Sequence, residues 1–239
     1  MRFLPFVSTF VTVIFAGVVL VRFARRRGTH LLVWAIGLGL YALGTAMEAF
    51  LGLAYHPLAL KAWYLTGAML TAAWLGQGTM FLLVRRRGVA PVFLGLLAAL
   101  SLIAVWFVFS APTLGGRYDV LMPASAQYRE ILARPGAVVA LTVILNMYGT
   151  LLLVGGALWS AWLFWRKQVL VHRVAGNALI AAGALAPALG GTFLRLGLAD
   201  MLYASELVGA IVMFVGFLQA TSPQEASATA RRQVPARAG

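Results

Sequence analysis

Seven runs of apolar residues, each about as long as a bilayer crossing, dominate this sequence. They lie near 3–22, 31–51, 62–84, 89–110, 137–163, 174–196 and 201–220. A membrane helix uses roughly 20 apolar residues at about 1.5 Å rise each. Seven of them take up most of the 239 residues and leave no room here for a sizeable extramembrane domain. Composition agrees: 62% of residues are hydrophobic and 10% charged, against about 45–50% and about 25% in soluble domains. The fold class expected is an all-α integral membrane protein. Residues 1–220 form the seven-helix bundle, and 221–239, rich in Ala, Ser, Arg and Gln, form a disordered basic cytoplasmic tail.

The arginines orient the bundle. Arg22, Arg25, Arg26 and Arg27 follow the first run, and Arg85, Arg86 and Arg87 the third. Arg166, Lys167 and Arg173 follow the fifth, and Arg231, Arg232 and Arg237 lie in the tail. Those are 13 of the 19 basic residues, all on one side. Basic excess marks the cytoplasmic face. The N-terminus is therefore expected outside and the C-terminus in the cytoplasm, with the bacterial cytoplasmic membrane as location. The first run carries its positive cluster after the apolar stretch, whereas a signal peptide carries it before. The net charge of +13 is thus a topological signal and a contact for anionic lipid at the inner face. It does not call for nucleic acid. Trp159, Trp162, Trp165 and Trp34 fall at inner ends, and Trp63, Tyr64, Trp106 and Tyr203 at outer ends. This is the interfacial belt expected of amphipathic rings. Trp74, Tyr41 and Tyr148 lie near mid-span, as bundle packing or a pocket wall.

One long loop, 111–136, lies on the outer side. Its second half, from Ser125 to Pro135, reads as a short surface helix with Ser125 as N-cap and Pro135 as stop. It is expected to act as an interfacial segment or lid.

Few polar residues enter the runs. Glu48 lies about a turn below the outer end of span two, and Glu206 about a turn and a half into span seven. Arg195 ends span six. Ionisable groups inside a membrane are costly and usually face the bundle interior. We expect an outer-half ligand cluster of Glu48, Arg195 and Glu206, with Asp200, Tyr64 and Tyr203 at its rim. The plainer alternative is an interfacial salt bridge that fixes helix ends. Thr142, Asn146 and Thr150 recur every fourth residue in span five and share a helical face. Together with Gln77 they read as hydrogen-bonding glue between helices or, more sharply, as a solute-facing stripe. Span six has rows of small residues, and Pro187 among them is a kink or a hinge. Gly209, Met213 and Gly216 continue a stripe from Glu206 that should face spans three and six.

The spans also suggest a parallel 3+1+3 repeat. Gly44-Thr45 to Glu48 matches Gly191-Thr192 to Arg195, and Gly67-Ala68 matches Gly209-Ala210. In layout this resembles rhodopsin-like bundles and the sugar-transporting SWEET and PQ-loop proteins, although the Pro-Gln motif is absent. The segment from Trp34 to Met80 carries Trp34, Gly37, Glu48, Lys61, Trp63, Tyr64 and Gly67. It resembles the seven-helix sensor region of some bacterial histidine kinases. That resemblance implies an outward-facing sensing pocket and an inner surface that contacts a protein partner.

Several chemistries are not supported. Cysteine is absent, which removes thiolate and Cys-based metal chemistry. Span seven has no Lys to carry retinal. His30, His56 and His172 lie at span ends or in a loop and suggest neither a haem nor a metal site. No catalytic constellation can be placed, and no cofactor is indicated. The expected function is a seven-helix binding or sensory module for a small or lipid-like ligand from the outer side. The alternatives are a small-solute transporter and a structural subunit of a larger membrane complex.

Overall fold

The computed structural model describes residues 3–84, 86–167 and 171–221, without the side chains at 171–172, 188, 190–192, 194–195 and 199–200. Arg85 and the tail from 222 onward therefore lie outside the described residues, as do the side chains of Arg195 and Asp200. The chain is all-helical. Its elements are α1 (Leu4–Arg26), α2 (Thr29–Leu51), α3 (Pro57–Trp63), α4 (Thr71–Leu83), α5 (Val89–Ser110), α6 (Ala124–Ile131), α7 (Gly136–Thr150), α8 (Gly156–Arg166), α9 (Val171–Arg195) and α10 (Ala199–Ala220). A π-helical segment, Tyr64–Leu70, joins α3 to α4, and a second, Leu151–Gly155, joins α7 to α8. Among the described residues, five helices are long and apolar enough to cross a membrane: Leu4–Arg26, Thr29–Leu51, Val89–Ser110, Gly136–Arg166 and Met201–Ala220. The composite rod 57–83 and α9 pack among them.

The two π segments were not legible as such in the apolar runs. A π segment widens the helix by one residue and leaves backbone carbonyls in need of partners. Here side chains supply them. Thr71 donates its hydroxyl to the Thr66 carbonyl at 2.7 Å, and Asn146 donates from Nδ2 to the Ala68 carbonyl at 2.8 Å. Asn146 is thus glue between α7 and the Tyr64–Leu70 segment. Gln77 is glue as well. It is fully buried, donates to the Ala90 carbonyl at 2.8 Å and accepts from the Tyr148 hydroxyl. The three-residue stripe on span five divides: Thr142 and Asn146 face neighbouring helices, whereas Thr150 is exposed.

Small residues set the helix crossings. A Cβ on Gly149 would stand 2.2 Å from the Ala72 carbonyl carbon, so α7 touches the α4 backbone directly. On α9 and α10, Gly183 meets Gly209 and Gly176 meets Gly216 in the same way. The glycines of the α10 stripe therefore face α9, the sixth span, and do not meet the third span that the stripe was also expected to face. The α9 helix runs on through Pro187, which is half-buried.

The glycine pairs correct the register of the expected repeat. Gly44 packs against Gly67, so the repeat would pair Gly191 with Gly209. Gly209 pairs with Gly183 instead, eight residues or about 12 Å away along the helix.

Two apolar clusters fill the bundle. One lies toward the long loop and includes Leu60, Trp63, Tyr64, Met69, Leu97 and Leu145. The other lies toward the arginines and includes Phe15, Val19, Leu38, Leu75, Met213 and Phe217. Outward-facing Phe10, Leu102, Trp106, Met147 and Leu151 are exposed, as expected of a surface against lipid. Trp159, Trp162 and Trp165 are exposed at the arginine end, where Arg166 stacks on Trp162 at 5.4 Å. They fit the expected belt. Trp63, Tyr64 and Trp34 do not. Trp63 and Tyr64 are buried, and the Trp34 indole donates to the Leu75 carbonyl at 3.0 Å.

The long loop is built onto the bundle. Its helix, α6, starts after Pro123. Ser125 is therefore inside it and not its N-cap. Pro135 precedes α7 and does not stop α6, which ends at Ile131. The Tyr128 ring packs on Trp63 at 5.6 Å and on Tyr64 at 5.4 Å. Gln127 ties the preceding strap down, accepting from the Asp119 amide at 2.8 Å and donating to the Asp119 and Met122 carbonyls. Backbone bonds from Leu114 to Ile131 and from Ala133 to Pro112 close the loop.

Candidate functional site

The site grows from two helical stripes. On α2, Tyr41, Thr45 and Glu48 lie at spacings of four and three residues, which share a face. On α1, Ser8, Thr12, Phe15 and Val19 form the buried face. The Thr12 and Thr45 hydroxyls approach to 3.4 Å, which sets the register of α1 against α2. Four residues nearer the loop, Ser8 comes level with Ala49, beside Glu48. On the other flank the Phe15 ring stacks on Phe214 of α10 at 4.8 Å. Seven residues nearer the loop along both helices, Ser8 comes level with Leu207, beside Glu206. The stripe that touches α2 through Thr12 and α10 through Phe15 thus puts Ser8 at the level of Glu48 and Glu206.

Glu48 is 4% exposed, and its Oε1 has no hydrogen-bond partner. Glu206 of α10 and Trp63 are the side chains whose influence reaches its carboxyl. Tyr41 donates its hydroxyl to the Glu206 backbone carbonyl at 3.2 Å, which ties α2 to α10 at this level. Ser8 is 1% exposed, and its Oγ is likewise unpartnered. Two buried oxygens without partners thus border one seam. Buried polar atoms in folded proteins are nearly always paired, so such exceptions call for an explanation, a bound water or ion among them. Glu206 is half-buried.

Tyr118 from the long loop stacks on Tyr55 at 4.9 Å. Burial, with the charge of Glu48 second, raises its phenol well above the ordinary tyrosine range. The loop thereby brings an aromatic ring within the electrostatic influence of Glu48.

The structure thus brings together Glu48 and Glu206, two of the residues singled out from the sequence. Tyr64 lies elsewhere: its hydroxyl bonds Thr142 of α7 at 2.9 Å, in the packed core under α6. Tyr203 is half-buried on α10, nearly a turn before Glu206. The Gly183–Gly209 register puts Ala186 level with Glu206. The Arg195 backbone lies nine residues beyond Ala186, about 13 Å further toward the α9–α10 turn. Sequence reasoning did not select Ser8, Thr12, Thr45 or Tyr118 as site residues, and it read Tyr41 as bundle packing or a pocket wall. The signal for Ser8, Thr12 and Thr45 was hydroxyls at the same depth as an intramembrane acid.

Among the described residues, no three His, Asp or Glu side chains gather as they would for a transition metal. No known protein family, curated protein or solved structure matches this chain.

Proposed function

We propose that this chain is a seven-span membrane binding module, with the N-terminus outside and the C-terminus in the cytoplasm. It admits a small ligand from the outer side into the seam between α1, α2 and α10. The observation that carries this reading is the Glu48 carboxyl, buried against a second carboxyl with one oxygen unpartnered. Helix packing alone does not call for that arrangement, and intramembrane ionisable groups commonly mark binding sites or ion paths. In this reading the half-buried Glu206 is the entrance of the seam and the loop carrying Tyr118 its roof. At the other end, the exposed Arg166 over Trp162 is suited to anionic headgroups of the inner leaflet. That face also offers the surface through which occupancy would reach a protein partner. The bacterial cytoplasmic membrane suits this charge asymmetry.

Native mass spectrometry of the detergent-purified chain tests this reading. The wild type should retain a non-covalent adduct after delipidation, and Glu48→Gln should lose it. Bare protein of the expected mass in both samples would contradict the reading.

A further inference from the structure

We propose that the seam between α1, α2 and α10 is an alkali-cation site, with Na+ held by Ser8, Thr12, Thr45, Glu48 and Glu206. This rests on the reading of that seam as a ligand chamber and names what it holds. The donor atoms are all oxygens: two carboxyl groups and three hydroxyls. Hard cations take oxygen ligands, whereas soft and borderline metals favour sulfur and imidazole. No third carboxylate or imidazole joins the group among the described residues, so the donor set suits a singly charged ion better than a transition metal.

Charge balance allows the same ion. A carboxylate only accepts hydrogen bonds, so two facing carboxyl groups bond each other only while at least one of them is protonated. In the singly protonated form the pair carries one negative charge, which one monovalent cation cancels. The unpartnered oxygens fit the same ion. Glu48 Oε1 is buried without a partner, and so is Ser8 Oγ on the helix opposite. The Thr12 hydroxyl gives its proton to the Ser8 or Thr9 carbonyl and keeps a lone pair free. Thr45 does the same through the Tyr41 and Ala42 carbonyls. A cation uses the acceptor capacity that these hydroxyl and carboxyl oxygens have left.

The experiment is equilibrium binding of 22Na+ to the purified full-length chain in detergent, with choline chloride holding ionic strength constant at fixed pH. Thermal melting is run in parallel. Saturable binding near one ion per chain is expected. Ser8→Ala should weaken it several-fold, and Glu48→Gln at least tenfold. NaCl should raise the melting temperature of the wild type above its value in choline chloride, and this rise should vanish in Glu48→Gln. Melting in choline chloride shows whether each variant folds. Ser8→Ala, a small change, keeps the test valid if Glu48→Gln fails to fold. Binding that does not saturate, or that is equal in wild type and both variants, would overturn the proposal. An organic adduct at Glu48 without Na+ binding would also overturn it, while leaving the ligand-chamber reading in place.

Discussion

Gly149→Leu should abolish recovery of the folded bundle, while Gly95→Leu should leave it intact. Both glycines sit inside long apolar helices, and hydropathy alone would rank the two changes alike. Their surroundings differ. Around Gly95 nothing lies within 4 Å of the added Cβ. At Gly149 the first added carbon would stand 2.2 Å and 2.5 Å from the Ala72 carbonyl carbon and the Ala73 nitrogen. Those are backbone atoms and cannot rotate away, so α7 must move off α4. That motion pulls on two other links at the same interface, the Tyr148–Gln77 bond and the Asn146–Ala68 bond. Overpacking typically costs about 1–3 kcal/mol and occasionally more. Even Gly149→Ala should therefore lower the melting temperature, by roughly 2–4 °C for each kcal/mol lost. Size-exclusion chromatography and thermal melting in detergent, with Gly95→Leu as control, check this. Equal recovery of both leucine variants would mean that α4 and α7 do not cross at this glycine.

Glu48→Met should make the chain more stable in the absence of alkali cations, although it removes a charged group. Methionine fills a similar volume without a polar atom. The native carboxyl keeps one oxygen buried and unpartnered, and such a group costs about 1–3 kcal/mol. Removing it should return a gain of that order, read as a melting temperature several degrees higher in choline chloride. The same variant should not respond to NaCl. A structural salt bridge at Glu48 predicts the opposite sign, because removing one partner of a buried ion pair costs about 3–5 kcal/mol. The direction of the shift therefore separates a site kept for binding from one kept for stability. Natural proteins commonly give up stability at functional positions.

Much of the helical layout was legible in the sequence. Every apolar run lies on a helix or composite rod, and the loop helix falls close to its expected place. Hydrophobic runs report helices directly, because a chain in lipid must satisfy its backbone internally. The acid positions were legible too, since Glu48 and Glu206 stand out in apolar surroundings. Their neighbours were not. Ser8, Thr12 and Thr45 look unremarkable in sequence, because a hydroxyl in a helix can bond a carbonyl of its own preceding turn, and Thr12 and Thr45 do so. Only the packing of α1 on α2 and α10 shows that their face borders the acids. Arg195 was grouped with Glu48 through a repeat register that the glycine pairs do not follow. Tyr64 was placed at the rim because an outer-end tyrosine reads as interfacial, whereas α6 covers it. The π segments carry no composition signal of their own, so the face each rod presents beyond them could not be read from period alone.

The central claim is that the acid pair opens toward the side of the membrane that carries the long loop. The chain contains no cysteine, so one introduced thiol reports without interference. Glu206→Cys puts it where the half-buried carboxyl stands. Leu121→Cys in the exposed loop and Arg87→Cys at the opposite end mark the two sides. Each variant, in sealed vesicles of known orientation, is treated with a small, membrane-impermeant cationic thiol reagent. Glu206→Cys should react from the side that modifies Leu121→Cys and stay protected from the side that modifies Arg87→Cys. Reaction from the Arg87 side, or from neither side until the protein is denatured, would contradict a chamber open toward the loop.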